Sequence, residues 1–172
     1  MRKIHAFVAA GAIVATAGTG VVTSSVSASP ASGSQPARHG RVFHSTLVGR
    51  PIDPSLDVAI RGVAPGGVPW TLDRGATAIN ANGRLVLKLD GLLITGTNSD
   101  LDGTTGPVTA VVASLTCDGT TPTIVSTVSV PLSPGGDAAI NQQVTLPATC
   151  VAPIVLVRAN SSSGPWIAAS GF

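Results

Sequence analysis

Cys117 and Cys150 are the only two cysteines among 172 residues, and the stretch between them limits the possible folds more than any other part of the chain. Apolar runs over 123–132 and 138–146 flank a turn at 133–137 that contains Pro-Gly-Gly. Two such runs around a turn of this kind are typical of a β-hairpin. An antiparallel hairpin brings its outer ends together, so the sequence predicts a disulfide between Cys117 and Cys150 across the hairpin base.

The remainder of the chain also favours strands. Glu and Tyr are absent, only 10% of the residues are charged, and Val, Thr, Gly and Pro are abundant, which is a strand-and-turn composition. Short apolar or alternating runs recur between turn residues, and they predict strands at 41–48, 56–63, 84–90, 108–117, 153–159 and 166–172. With the hairpin and shorter pieces this makes about nine or ten strands, and we expect an antiparallel, immunoglobulin-like β-sandwich.

The N-terminal region carries the pattern of a secretory signal peptide. Arg2 and Lys3 precede an uncharged run over 6–22, and Val26-Ser27-Ala28 fits a cleavage site after Ala28. We therefore divide the chain into a signal peptide (1–28), a disordered Ser/Pro/Gly linker (29–40) and a β-sandwich domain (41–172). The expected location is extracellular, with no membrane segment in the mature form.

Charge excludes several classes of partner. Of the ten Lys and Arg residues, Arg2 and Lys3 belong to the signal peptide, which leaves eight basic residues against eight Asp. Nucleic acids and anionic lipids are bound by clustered positive charge, and a balanced, sparsely charged domain does not provide it. No nucleic-acid partner is expected, and no residue pattern indicates a cofactor.

Candidate catalytic groups are few. Nucleophilic hydrolysis needs a base beside a serine or cysteine. His39 lies in the linker and His44 in the first predicted strand, and there is no Gly-x-Ser-x-Gly elbow. Most of the eight Asp residues adjoin turn residues, where Asp commonly bonds its own backbone. The sequence therefore favours a non-enzymatic domain, with a secreted hydrolase as the alternative.

One loop has the spacing of metal ligands. Asn98, Asp100 and Asp102 stand at alternate positions before Gly103, as at the start of a calcium-binding loop. The position that should supply a bidentate carboxylate holds Thr109. We therefore treat Asn98, Asp100 and Asp102 as a weak calcium candidate, against the alternative of a polar loop.

The two tryptophans are the candidates for ligand binding. Trp70 follows a Pro-Gly-Gly-Val-Pro turn and Trp166 opens the last predicted strand. Exposed together they would form a stacking platform for a polysaccharide, and buried they would fill the core. A protein partner is the other expectation, including a protease that an exposed loop over 95–106 would inhibit.

Several segments resemble a group of uncharacterised small secreted proteins of actinomycetes and fungi. They are Gly66-Gly67-Val68-Pro69-Trp70, Asn82-Gly83-Arg84-Leu85, Gly91-Leu92, Cys117, Gly136-Asp137-Ala138, the stretch from Leu146 to Pro153, and Trp166-Ile167-Ala168. The resemblance covers nearly the whole domain. It implies an extracellular β-rich domain with paired cysteines, and it transfers no activity and no site residue.

Overall fold

The computed structural model of the protein describes residues 41–118 and 122–171. These residues form nine strands: β1 (Arg41–Gly49), β2 (Trp70–Asn80), β3 (Arg84–Ile94), β4 (Ala110–Asp118), β5 (Thr123–Ser126), β6 (Val130–Pro131), β7 (Ala138–Gln143), β8 (Val151–Ala159) and β9 (Trp166–Ser170). The helical content of the described ranges is one 3-10 turn, Pro54–Leu56. The prediction of an all-β chain with about nine or ten strands is confirmed.

In the ranges given above, no helix combines the length and apolar character needed to cross a membrane. The predicted signal peptide (1–28) and linker (29–40) lie outside the described residues.

Hydrogen bonds join all nine strands into one antiparallel sheet. Its order is β5-β4-β8-β9-β1-β2-β3-β7, and β6 also pairs with β4. Strand β1 belongs to both halves, because residues 41–46 pair with β2 and residues 47–49 pair with β9. The strands therefore form a single curled sheet, in which β1 carries the hydrogen bonds from one half to the other, and not a clear two-sheet, immunoglobulin-like sandwich.

The free edges of the curled sheet meet through a side chain. The Gln142 amide oxygen of β7 accepts a hydrogen bond from the Val128 backbone N–H at 2.8 Å, between β5 and β6. The Gln142 amide nitrogen lies 3.5 Å from the Val128 carbonyl oxygen. A glutamine amide carries the same kinds of donor and acceptor as a peptide group. Gln142 therefore connects β7 to the segment between β5 and β6 by hydrogen bonds like those between paired strands.

The hairpin formed by β2 and β3 follows the predicted alternation. Leu85, Leu87 and Leu89 are buried in the core between the two halves, while the residues between them face outward. Asn82 and Gly83 form the turn between the two strands, and Gly83 adopts a φ of 86°, which glycine tolerates best. Gly91 has a φ of 71°, and the buried positions after it shift to Leu92 and Ile94.

The predicted hairpin between 123–132 and 138–146 is wrong. The first run forms β5 and β6, which pair with β4, whereas the second forms β7, which pairs with β3. The turn between them passes from one half of the curled sheet to the other. Its Gly136 carbonyl accepts a hydrogen bond from the Leu92 N–H at 2.9 Å, which fixes the turn to β3.

The disulfide prediction is confirmed, although the geometry that produces it is different. Cys117 and Cys150 are bonded, with Cα atoms 4.8 Å apart. Cys117 lies at the end of β4 and Cys150 immediately precedes β8, and these strands pair antiparallel with Asp118 opposite Val151. The bond therefore joins neighbouring central strands and not the two arms of a hairpin.

The predicted strand at 56–63 is also wrong. Residues 54–56 form the 3-10 turn, capped by the Asp53 side chain, and Arg61 and Gly62 both adopt positive φ in a tight turn between Ile60 and Val63. Two side chains of this segment, Ile60 and Val63, pack on the outer side of the sheet with Leu156, Trp166 and Ala169. Leu56 and Val58 are exposed, so only Ile60 of the alternating apolar residues contributes to this second, smaller core.

Candidate functional site: an apolar cavity beside Trp70

A cavity of about 370 Å³ opens at the end of the curled sheet where β2, β4 and β9 begin. We call it the Trp70 cavity. The buried part of its lining consists of Gly66, Trp70, Ile94, Val108, Ala159 and Ile167. The part nearer the solvent consists of Gly67, Val68, Leu101, Pro107, Asn160 and Pro165. Three loops, at 64–69, 95–109 and 160–165, therefore surround an apolar floor supplied by the ends of the strands.

Trp70 is positioned by the backbone on both of its sides. It begins β2 directly opposite Ile94, the last residue of β3. Its own N–H donates to the Arg50 carbonyl at 2.9 Å, and the Thr95 N–H donates to the Pro69 carbonyl at 3.1 Å. The indole is 4% exposed and packs in the main core. The ring is therefore a fixed wall of the cavity.

The rim is shaped by Asn160. It adopts a φ of 61°, a conformation that Asn tolerates better than most residues. Its side-chain oxygen accepts hydrogen bonds from the N–H groups of Thr109 (3.0 Å) and Ala110 (3.3 Å), and its amide nitrogen donates to the Pro107 carbonyl (3.4 Å). The amide thus holds the start of β4 in place.

The lining of the cavity is uncharged. None of the described residues that line it is Asp, Lys, Arg or His. A charged group buried without a partner is strongly disfavoured, so the cavity suits an uncharged molecule. Sites of this kind are typically apolar clefts with few polar groups, and the volume is within the usual range for small ligands.

The two predicted ligand-binding residues do not form a shared platform. Trp70 lines the cavity, whereas Trp166 is fully buried in the outer cluster, where its Nε1 donates to the Val58 carbonyl at 3.2 Å. Neither ring presents a face to solvent on which a sugar could stack. Trp166 is a core residue in this fold, and only Trp70 belongs to a candidate site.

The calcium candidate folds as a polar loop. Both carboxylate oxygens of Asp102 face the loop backbone: one accepts from the N–H (2.9 Å) and hydroxyl (2.6 Å) of Thr97, and the other from the N–H of Asn98 (3.0 Å). The described residues contain no group of three His, Cys, Asp or Glu side chains placed to hold a metal ion. Asp102 therefore caps its own loop, and calcium binding by Asn98, Asp100 and Asp102 stays a prediction.

A pH dependence follows from this cap. The hydroxyl and N–H of Thr97 hold the pKa of the Asp102 carboxyl below its ordinary value, since they bond its charged form. A lowered pKa in the folded state means that the stabilisation is complete above about pH 4 and is lost as the pH falls through the lowered pKa. We expect the Thr97 and Asn98 amide proton resonances to shift together in that acidic range.

The measurement is an NMR titration of the folded protein, with Asp102→Asn as the matched variant. The variant keeps a side-chain acceptor but does not titrate, so the two amide resonances should become independent of pH there. Titration of the Thr97 amide at the pKa of an ordinary aspartate would contradict the bonded geometry.

The hydrolase alternative depends on where the candidate acid and base residues lie. His44 is exposed in the middle of β1, opposite Ala78 of β2, and it does not line the Trp70 cavity. Asp100 is exposed on the loop between β3 and β4. His39 lies outside the described residues. Neither His44 nor Asp100 therefore lines the Trp70 cavity.

Sequence reasoning identified one residue of the cavity, Trp70, and missed the rest of its floor. Ile94, Val108, Ala159 and Ile167 come from four separate elements and have no common spacing in the sequence. The only local signals were the glycines and prolines of the three loops.

Comparison of the chain with protein-family models, with curated proteins and with solved structures finds no match.

Proposed function

We propose that this chain is an exported, non-enzymatic domain that binds a small, uncharged, mostly apolar molecule in the Trp70 cavity. The observation that carries the proposal is the cavity itself, an uncharged pocket of about 370 Å³ with a rigid indole wall. The disulfide supports export, because such bonds persist in oxidising compartments. The predicted signal peptide and the resemblance to small secreted proteins agree with it.

The fold suits this role. We infer that the curled sheet provides the same scaffold as an immunoglobulin-like sandwich. Its halves face each other across an aliphatic core, and the loops at one end can form a binding site. Binding sites are commonly held on loops that a rigid scaffold positions. The loop over 95–106 has such support, because the Ile94 N–H donates to the Thr104 carbonyl and the Gly103 N–H to the Ile94 carbonyl.

Other functions have less support. Polysaccharide binding would need exposed aromatic faces, and both indoles are buried. A hydrolase would need an assembled acid and base, and His44 and Asp100 are apart from the cavity. A protease-inhibiting role would use the loop over 95–106 as bait, but Leu101 of that loop lines the cavity. Binding of a small molecule therefore accounts for the loop and the cavity together.

Filling the cavity tests the proposal. Ala159 is the smallest side chain on the buried floor, and its replacement by leucine should occupy the space and weaken binding of an apolar probe such as 2-acetylnaphthalene at least tenfold, by direct steric exclusion. Affinity is measured by NMR titration of the resonances that line the cavity.

The matched control is Ala139→Leu. Ala139 is exposed on β7, opposite Lys88 of β3, and does not line the cavity, so this variant adds the same atoms on an outward position and should bind the probe as the original protein does. Equal binding by both variants, or the absence of probe binding by the unmodified protein, would refute the proposed function.

A further inference from the structure

The Trp70 indole nitrogen is a buried donor without an acceptor. Among the described residues, it is the one fully buried side-chain nitrogen or oxygen that has no hydrogen-bond partner. The other indole behaves normally, since Nε1 of Trp166 donates to the Val58 carbonyl. Buried polar groups are almost always paired, and one that is not calls for an explanation, of which a functional role is one.

The unpaired nitrogen lies at the wall of the Trp70 cavity. A Cβ atom added to Gly66 would be 3.7 Å from Nε1, and Gly66 lines the cavity. The nitrogen itself is buried, and a Cβ added to Gly67 would meet no atom within 4 Å. Contact between a bound group and the indole nitrogen therefore requires a movement of the neighbouring backbone, where Gly66 and Gly67 have no side chains to obstruct it.

Two other polar groups of the cavity are engaged within the protein. The Asn160 amide bonds Thr109, Ala110 and Pro107, and the Gly66 N–H donates to the Trp166 carbonyl at 2.8 Å. Among the described residues, the indole N–H is the buried side-chain donor that has no partner. A neutral donor in an uncharged cavity suits a neutral acceptor such as a carbonyl oxygen, and the cavity disfavours a carboxylate, whose charge would have no counterion.

We propose that Trp70 Nε1 is the specificity-determining donor of the cavity and selects small, uncharged, apolar molecules that carry a carbonyl group. This inference rests on the proposed function and adds the chemical class of the ligand. Binding would give the buried N–H the partner it lacks in the free protein, so an analogue without an acceptor should bind less well although it fills the same space.

The test compares two probes of the same shape. 2-Acetylnaphthalene has a carbonyl oxygen where 2-isopropenylnaphthalene has a methylene group. We expect the ketone to bind roughly fivefold or more tightly, the change that one neutral hydrogen bond typically produces. In an NMR titration, the Trp70 indole proton should move downfield with the ketone alone, while the Trp166 indole proton should move with neither probe.

Trp70→Phe removes the donor and keeps an aromatic wall, so the variant should bind both probes with equal affinity. Trp166→Phe is the control and should retain the preference for the ketone. If both probes bind the unmodified protein equally and the Trp70 indole proton does not move, the inference is overturned while the proposed function stands. If neither probe binds, both are overturned. The titration of the unmodified protein decides these outcomes even if a variant does not fold.

Discussion

Replacing Cys117 and Cys150 together by alanine is expected to lower the free energy of unfolding by about 3–4 kcal/mol. The bond closes a loop with a sequence separation of 33 residues, and the entropy removed from an unfolded chain by a loop of that size corresponds to this range. The loss is a large fraction of the stability of an ordinary domain, so the double variant should unfold at a much lower denaturant concentration.

Chemical denaturation of the unmodified protein with and without a reducing agent provides the control. Reduction should reproduce the destabilisation of the alanine variant, whereas the variant itself should not respond to the reducing agent. A loss below about 1 kcal/mol would mean that the segment between the cysteines is already restrained in the unfolded chain, contrary to the entropic account.

The bond also illustrates which features local sequence can predict. Two cysteines in an exported chain pair for chemical reasons, whatever the topology, so the pair could be predicted although the reason offered for it was wrong. Leu85, Leu87 and Leu89 were predictable because strict alternation specifies a strand with one buried face. The continuous apolar run of β4 was predictable as a central strand for a similar reason, since both of its faces are covered.

Pairing partners were not predictable in the same way. The runs that became β5, β6 and β7 have strand character, but their neighbours are decided by which edges the remainder of the sheet leaves free. The edges of β3 and β4 lie in opposite halves of the curl, and each accepted one arm of the expected hairpin. Register and alternation carry no information about that choice.

The prediction of a strand at 56–63 was wrong for a reason that the local sequence shows. Asp53 followed by Pro54 is a start signal for a helical turn, and Arg61-Gly62 is a turn signal, yet the alternation of Leu56, Val58 and Ile60 suggested a strand. The candidate site was the least predictable part. Its residues are brought together by the curl of the sheet, and only Trp70 carried a chemical signal of its own.

The turn that joins the two halves should be very sensitive to one added methyl group. Gly136→Ala is expected to lower the free energy of unfolding by about 3–5 kcal/mol, since two separate costs combine. Gly136 has a φ of 82°, where a side chain is strained. The added Cβ would also lie 2.5 Å from the carbonyl oxygen and 2.7 Å from the carbonyl carbon of Leu92, which belong to rigid backbone.

Gly135→Ala is the matched control, one residue away in the same turn. Its added Cβ would meet only side chains at ordinary contact distances, 3.4 Å from an Asp137 carboxylate oxygen and 3.6 Å from the Ser133 hydroxyl, so a change below about 1 kcal/mol is expected. Denaturation of both variants, with amide exchange at Leu92 as the local measure, separates the cases. Equal stability of the two variants would mean that the turn is not seated on β3, and the crossing between the halves of the sheet would then need a different explanation.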